Sequence, residues 1–236
     1  ILGLTSAGII FLMLPASLSA THFRYGTMSW ENPWDNGTIR LKMENGWRTA
    51  ITAFLQTLGL RNSSYVNINW GDGSGLEDGT IKTISIDSTE GSSLTEIGVW
   101  DGSNWTKGVT HTYADNGTYV ISWSSSARIA GIENVANSSS WRGETKVNIG
   151  GSYASNDSPV SAVPPIVQVQ DNKTFNYQLV ATDADGDSLN YRWGQYNEFF
   201  ETDGSGSTAT FTKPTGMTLS SSGLIEWDVR DSVLCS

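Results

Sequence analysis

The sequence predicts an all-β protein made of two tandem β-sandwich domains, and three observations support this prediction. Apolar and polar residues alternate over short stretches, which is the period of a half-buried strand. Clusters of Gly, Asn, Asp and Ser separate these stretches roughly every 8–12 residues, as in sandwiches and barrels. The chain also contains 25 Gly and 10 Trp but only 16% charged residues, a composition untypical of helical bundles.

Composition excludes some classes of function. The net charge is −10 and no Lys/Arg cluster is present, which argues against a nucleic-acid partner. Cys235 is the single cysteine, so no internal disulfide can form and it is interpreted as an unpaired thiol. Stability must therefore come from packing or from bound ions.

Residues 1–20 are interpreted as a secretory signal peptide. Residues 9–14 form an apolar run, Pro15 ends it, and Ser17 and Ser19 stand at the positions that a signal peptidase inspects. This run is shorter than the roughly 20 residues of a membrane-spanning helix, so no stable membrane span is predicted. The alternative is that residues 1–20 are a retained apolar segment.

The first domain is expected at residues 21–150 and opens with a strand. Along residues 25–30, Tyr, Thr and Ser alternate with Gly, Met and Trp, so the two sets would face opposite sides of a strand. The run Thr-His-Phe-Arg-Tyr-Gly at residues 21–26 resembles the opening of a group of secreted sandwich proteins. His22 lies in this run without a second histidine nearby, and we interpret it as structural.

A hairpin is predicted next, at Asn45 and Gly46. Apolar and polar residues alternate over residues 39–44, and Asn-Gly is the strongest short signal for a type I′ turn. The return strand would cover residues 47–55. The same residues also match helical spacing, and we favour the strand because of the turn chemistry.

The stretch at residues 67–119 carries the most specific motifs. A tryptophan strand runs into Gly-Asp-Gly, where glycine tolerates the positive φ of a reversal. A His-x-Tyr turn and a Gly-x-Tyr strand follow. These motifs resemble the polycystic-kidney-disease (PKD) type of sandwich, which implies an immunoglobulin-like fold. The residues that carry the resemblance are residues 70–73, His111, Tyr113, Gly117 and Tyr119.

Further strands would complete this first sandwich. They are predicted at residues 80–86, 94–100, 119–123, 124–129, 134–141 and 144–149.

A linker and a second domain follow. Residues 151–165 are rich in Gly, Ser, Asn and Pro, as linkers are, and the second domain is expected at residues 166–236. Residues 181–187 read Ala-Thr-Asp-Ala-Asp-Gly-Asp, and residues 216–227 supply Gly-Met-x-Leu and Gly-x-Ile-x-Trp patterns. These patterns are similar to cadherin-like, immunoglobulin-type modules of cell-surface proteins. That family continues with a last strand, so this sandwich is expected to lack its last strand.

The acidic turn of the second domain predicts a Ca²⁺ site. Asp183, Asp185 and Asp187 alternate across a bend, and Asp157 in the linker could add oxygens. Residues from Asp157 onward hold 11 acidic and 4 basic residues, for a charge of −7, against −3 before it. An EF-hand is excluded because its twelfth position would be Gly194. The alternative is a solvated acidic turn.

Asn-x-Ser/Thr sequons predict a glycoprotein if the chain is secreted by a cell that attaches N-linked sugars. The alternative is unmodified turn asparagines. The predicted acceptors are Asn36, Asn62, Asn104, Asn116, Asn137 and Asn172.

The tryptophans divide into two groups. Trp30, Trp70, Trp123 and Trp227 fit strand interiors and are predicted to be core residues. Trp34, Trp100, Trp105 and Trp141 stand beside turn residues, where they could close the ends of a sandwich. Trp100 and Trp105 are also candidates for contacts with a sugar or with a protein partner.

The sequence favours a non-enzymatic, secreted or cell-surface glycoprotein with a structural or adhesive role. The usual nucleophile, metalloprotease and phosphate-loop motifs are absent from the chain. The expected partners are further copies of the chain or other surface glycoproteins, and a filament could grow by strand addition between subunits. The alternative is a carbohydrate-binding, lectin-like module with glycans as ligands.

Overall fold

The computed structural model describes residues 23–34, 36–48, 57–59, 61–126, 128–129, 140–163, 166–169, 173–199 and 213–229. Strands dominate these residues, which confirms the all-β class. The strands are β1 (Phe23–Glu31), β2 (Thr38–Arg48), β3 (Arg61–Asn69), β4 (Leu76–Asp87), β5 (Ser92–Trp100), β6 (Trp105–Lys107), β7 (Val109–Thr112), β8 (Gly117–Ser126), β9 (Ser140–Ile149), β10 (Val160–Ser161), β11 (Thr174–Gln178), β12 (Ala181–Thr182), β13 (Thr218–Leu219) and β14 (Leu224–Asp228). A 3-10 turn covers Gly151–Tyr153, and a short helix, α1, covers Tyr196–Phe199.

One antiparallel sheet of nine strands forms most of the molecule. Its strand order is β1-β2-β5-β4-β3-β8-β9, with β6 paired to β5 and β7 paired to β2. The two end strands of this path meet, so the sheet is nearly closed on itself. The Trp30 indole N–H donates to the Lys146 carbonyl oxygen at 3.0 Å. The rings of Phe23 and Trp141 stack with centroids 3.7 Å apart.

The core lies inside this curved sheet and is built from alternating side chains. On β2, Ile39, Leu41 and Met43 are buried, while the residues between them face outward. Trp70 and Trp123 are buried as predicted. The prediction for Trp141 is wrong, because Trp141 is a fully buried residue of β9.

The hairpin predicted at Asn45-Gly46 is also wrong. Strand β2 continues through both residues to Arg48, and Asn45 is buried. Gly46 is required for a different reason: a Cβ there would overlap the ring of Tyr25 on the neighbouring strand. Most of the predicted return strand, residues 49–55, lies outside the described residues, as do His22 and Cys235.

Two strand boundaries differ from the prediction near the end of the large sheet. Residues 124–126 continue β8, and residues 140–149 form the single strand β9. The pairing is continuous from Gly117 opposite Ile149 to Ser126 opposite Ser140. Within the described residues, one long antiparallel pair therefore stands where four short strands were predicted.

The later part of the chain forms two small antiparallel sheets. Strands β11, β14 and β13 make one of them, and β10 and β12 make the other. The side chains of Phe175, Tyr177 and Trp227 are only half-buried here, unlike the tryptophans of the large sheet. The sequence predicted Trp227 in the core, whereas the structure buries it only partly. The two-domain boundaries and the immunoglobulin-like detail stay predictions.

The segment after β9 is tied to β1. The Trp30 N–H donates to Ser158 Oγ at 2.7 Å, and the Ser158 N–H donates to the Trp30 carbonyl oxygen at 2.9 Å. Asn32 and Ser158 are both buried at this junction. The chain just before β10 is therefore held against β1 by one backbone hydrogen bond and one hydrogen bond to a side chain.

Candidate functional site

Trp100 and Trp105, the candidate sugar or partner contacts, face each other on the β5–β6 hairpin. They are direct cross-strand partners in the register of this pair. The Asp101 carboxylate closes the turn by accepting the N–H groups of Ser103 and Asn104 at 2.8 and 2.7 Å. These hydrogen bonds hold the pKa of Asp101 below its ordinary value.

The Trp105 ring is fixed on three sides. It lies over Gly98, where a Cβ would overlap the indole. Its N–H donates to Glu96 Oε1 at 2.7 Å. The Lys82 ammonium lies 4.7 Å from the ring centroid, within range of a cation–π interaction.

Glu96 is a buried carboxylate at the centre of this surface. Lys82 Nζ lies 2.7 Å from Oε1 and Lys107 Nζ lies 3.6 Å from Oε2. Burial alone would raise the pKa of Glu96, but the hydrogen bonds from Lys82 and Trp105 and the two nearby ammonium charges bring it below its ordinary value. Glu96 therefore stays ionised and forms ion pairs with Lys82 and Lys107.

Lys107 joins this group to β2. Its Nζ lies 2.5 Å from Glu44 Oε1 as well as near Glu96. Burial would lower the pKa of Lys107, but the hydrogen bond and the charge of Glu44 raise it above its ordinary value. Lys82 and Lys107 are thus each paired with a carboxylate of a neighbouring strand.

The Trp100 ring also has a cation from its own chain. The Arg61 guanidinium carbon lies 3.6 Å from the ring centroid. A sugar that stacks on Trp100 would have to use the other ring face or displace Arg61. The sugar or partner contact at Trp100 and Trp105 stays a prediction.

The structure brings the predicted Ca²⁺ ligands Asp157 and Asp185 together. The Asp157 N–H donates to Asp185 Oδ2 at 2.6 Å. Asp183 Oδ1 accepts the N–H groups of Asp185 and Asp187 at 3.0 and 3.1 Å. The Asn32 N–H donates to Asp157 Oδ1 at 2.7 Å, which links the acidic turn to the end of β1.

These aspartates contact backbone N–H groups, and the Ca²⁺ site stays a prediction. Across the described residues, no three His, Cys, Asp or Glu side chains converge in the way that a metal site requires. A Ca²⁺ ion here would draw on the carboxylate oxygens that do not accept the bonds above, together with backbone carbonyls.

His111 lies on β7 and takes part in a structural contact. Its Nε2 lies 2.7 Å from Asp72 Oδ2, and Asp72 Oδ1 accepts the Ser74 hydroxyl at 2.6 Å. In a catalytic triad the serine would donate to the histidine, but here it donates to the carboxylate. The Ser74 hydroxyl therefore meets a carboxylate whose pKa is lowered to about 2, which makes it a weak base, and it does not meet the imidazole.

The sequons fall in different environments. Asn36, Asn104 and Asn116 are exposed in turns, as predicted. Asn62 lies at the start of β3. Asn137 and Asn172 lie outside the described residues. Occupancy of these sites stays a prediction.

Sequence reasoning missed the residues that surround the tryptophans. Arg61, Lys82 and Glu96 come from three strands whose pairing the sequence does not give. The alternation of Lys82 with Ile81 and Thr83, which are buried, is the sequence signal that could have shown Lys82 to face outward. Only the register of β4 with β5, which sets Lys82 opposite Glu96, shows the contact.

Comparison with known proteins identifies the family. Residues 24–150, more than half of the chain, match the family model described as "Integrin beta-like protein A-E, N-terminal". The chain belongs to this family. The matched residues begin in β1 and end just after β9, so they cover the nine-stranded sheet. No solved structure matches the chain.

Three curated relatives come from Dictyostelium discoideum. Integrin beta-like protein C is 29% identical over 218 residues, and protein B is 28% identical over 221 residues. Protein A is 25% identical over 233 residues. These alignments cover 86%, 90% and 91% of this chain, but only 10%, 10% and 11% of the relatives. The chain thus spans about a tenth of the length of these integrin beta-like proteins.

Among the described residues, no helix is long and apolar enough to cross a membrane.

Proposed function

We propose that this chain is a non-enzymatic adhesive module that acts at the cell surface or outside the cell. Membership in the integrin beta-like family carries the proposal. The intramolecular contacts of the charged and aromatic side chains of the sheet support it, because such contacts would keep a binding surface rigid. His111 and Asp72 belong to one such contact, and Glu96 with its two lysines belongs to another.

The test is adhesion by the folded chain. Beads coated with the full chain would be offered to Dictyostelium discoideum cells, because the relatives come from that organism. We expect more cells to bind than bind to beads carrying an unrelated β-sandwich of equal net charge. Equal binding to both bead types would refute the adhesive role.

The sugar-binding alternative places the ligand at Trp100 and Trp105. Their pairing across the β5–β6 hairpin supports it, since both rings are partly accessible and aromatic side chains stack on sugar rings. A glycan array probed with the chain and with Trp100→Ala and Trp105→Ala tests it. Binding by the wild type that both variants lose would favour a lectin-like module, and an array without binding would favour a protein partner.

Assembly of a filament by strand addition is a further part of the proposal. Strands β11 and β13 are the edges of the three-stranded sheet among the described residues, and such edges can pair with an added strand. Residues 1–20 would supply that strand if they are retained. Mass spectrometry of the native protein tests this, because a mature chain that starts at Ala20 or Thr21 excludes it.

We also propose that Ca²⁺ stiffens the junction at Asp157, Asp183, Asp185 and Asp187. The hydrogen bond from Asp157 to Asp185 supports this site, because it brings linker and turn together. Added Ca²⁺ should then raise the melting temperature, and Mg²⁺ should do so less. The increase should disappear in Asp185→Asn; an increase that persists in this variant would contradict the site.

A further inference from the structure

The turn between β1 and β2 combines an exposed aromatic ring with a sequon. Trp34 precedes Asn36 by two residues, and Asn36-Gly37-Thr38 is an N-glycosylation acceptor sequence. We propose that Asn36 carries an N-linked oligosaccharide and that Trp34 is the platform for its first N-acetylglucosamine. This proposal requires passage through a secretory pathway, which is part of the function proposed above.

The Asn36 side chain is held in a suitable orientation. Its Oδ1 accepts the Thr38 N–H at 3.0 Å, which is the only hydrogen bond that the described residues give this side chain. Gly37 has a φ of 80°, a left-handed conformation that glycine adopts without strain. With Oδ1 engaged on the backbone, Nδ2 is left as the atom that receives the sugar.

Trp34 has the properties of a stacking platform. It is 43% exposed, an unusual exposure for a tryptophan in this chain, where four others among those described are at most 4% exposed. The Arg40 guanidinium carbon lies 5.0 Å from the ring centroid, so a sugar would stack on the ring face opposite Arg40, as at Trp100. An exposed indole two residues before the acceptor in the sequence can pack against the apolar face of a pyranose.

Asn116 provides a matched comparison within the same chain. Its sequon, Asn116-Gly117-Thr118, has the same three residue types, but Ala114 stands two residues before it. The Asn116 carboxamide packs against Gly150, where a Cβ would overlap it. A sugar on Asn116 would therefore lack an aromatic partner at that position, and we expect it to contribute no comparable stabilisation.

The attachment is a glycosyl transfer from a lipid-diphosphate-linked oligosaccharide, the donor that a transferase supplies. The bond between the anomeric carbon and the diphosphate oxygen breaks, and the electron pair leaves with the lipid diphosphate. The Asn36 carboxamide nitrogen forms the new bond to that carbon, and its proton passes to a base of the transferase. No oxidation or reduction takes place.

The first experiment tests the acceptor. The full chain would be secreted from a eukaryotic host that performs N-glycosylation, and its glycopeptides would be analysed by mass spectrometry. We expect the peptide containing Asn36 to carry an oligosaccharide that begins with N-acetylglucosamine. An Asn36 that is unmodified in the secreted protein would overturn the proposal.

The second experiment tests the platform by comparing variants in which the amidase leaves the same residue, an aspartate, at position 36. An endoglycosidase that leaves a single N-acetylglucosamine should preserve the melting temperature, and an amidase that removes the whole glycan should lower it by roughly 2–4 °C. In Trp34→Ala, complete removal should produce no such decrease, whereas Asn116→Gln should leave the decrease unchanged. Equal decreases in the wild type and in Trp34→Ala would overturn the platform.

The glycan experiments and the adhesion experiment can fail independently of each other. Bead adhesion can be measured with glycan-free protein, so a failure of adhesion does not bear on the Asn36 glycan. A missing glycan likewise leaves the bead result intact.

Discussion

The imidazole of His111 lies flat against the indole of Trp70, with ring centroids 4.4 Å apart and planes inclined by 7°. This stack joins the strand pair β2–β7 to the residue that follows β3. The Tyr113 hydroxyl donates to the Trp70 carbonyl oxygen at 3.0 Å and strengthens the same junction. The motifs that resemble PKD-type sandwiches therefore meet in space and fasten one end of the large sheet.

The first prediction concerns Asp72 and acid stability. Burial would raise the pKa of Asp72, but hydrogen bonds from Ser74 and His111 lower it from 3.8 to about 2. A lowered pKa in the folded state means that the ionised carboxylate stabilises the fold above pH 3.8. This contribution is then lost as the pH falls through 2.

Asp72→Asn should therefore remove stability at neutral pH and flatten the acid limb of the stability curve. We expect a loss on the order of 1 kcal/mol, because the group is partly screened by solvent. Urea denaturation between pH 2 and pH 7 measures it. Asp115→Asn, which removes an exposed turn carboxylate, is the control, and equal losses in the two variants would contradict the role of Asp72.

The second prediction concerns Gly46 under the Tyr25 ring. Gly46→Ala places a methyl group where the ring lies, so we expect a destabilisation of about 1–3 kcal/mol. In a Tyr25→Ala background the added methyl group has room, and the cost should largely disappear. A double-mutant cycle by chemical denaturation provides the measurement, and additive losses would contradict the contact.

Gly46 also shows where prediction from the sequence fails. Asn-Gly between alternating stretches indicates a turn because glycine favours positive φ, but glycine is equally needed where a ring approaches the backbone. The sequence contains both the glycine and the tyrosine. It does not contain their pairing, which depends on the register of β1 with β2.

The candidate site residues show the same limit of prediction from the sequence, which does not contain the pairing of strands. Local signals were sufficient for the all-β class, for most strands and for the burial of Trp70 and Trp123. They placed Trp141 beside a turn, because Gly143 follows it and the long pairing of β8 with β9 cannot be seen locally. Lys82, Arg61 and Asn32 were missed as neighbours of the candidate residues for the same reason.

The third prediction tests Trp141 as a core residue. It stacks on Phe23 and meets Trp123 edge-on with centroids 4.6 Å apart. Trp141→Ala should cost about 3–5 kcal/mol, the range for a large aromatic removed from a packed core. Trp34→Ala, at an exposed position, should cost less than about 1 kcal/mol. Similar losses from guanidinium denaturation of the two variants would contradict the difference in burial.

The fourth prediction concerns the charge of Glu96. Glu96→Gln keeps an oxygen that can accept the Trp105 N–H but leaves Lys82 and Lys107 without the carboxylate between them. Glu96 is only 7% exposed, but both lysines reach solvent. We therefore expect a loss of about 1–3 kcal/mol, below the range for a fully buried pair. Glu90→Gln, at an exposed turn position, should be nearly neutral.

The reason for the loss can be separated from simple packing by adding Lys82→Met. If the penalty of Glu96→Gln arises from an uncompensated ammonium group, removing that ammonium should restore part of the stability. The indole of Trp105 should also lose its fixed position when its cation is removed, which near-ultraviolet circular dichroism detects. A double variant that is no more stable than Glu96→Gln would show that the carboxylate acts through its shape, and the electrostatic account of this surface would then fail.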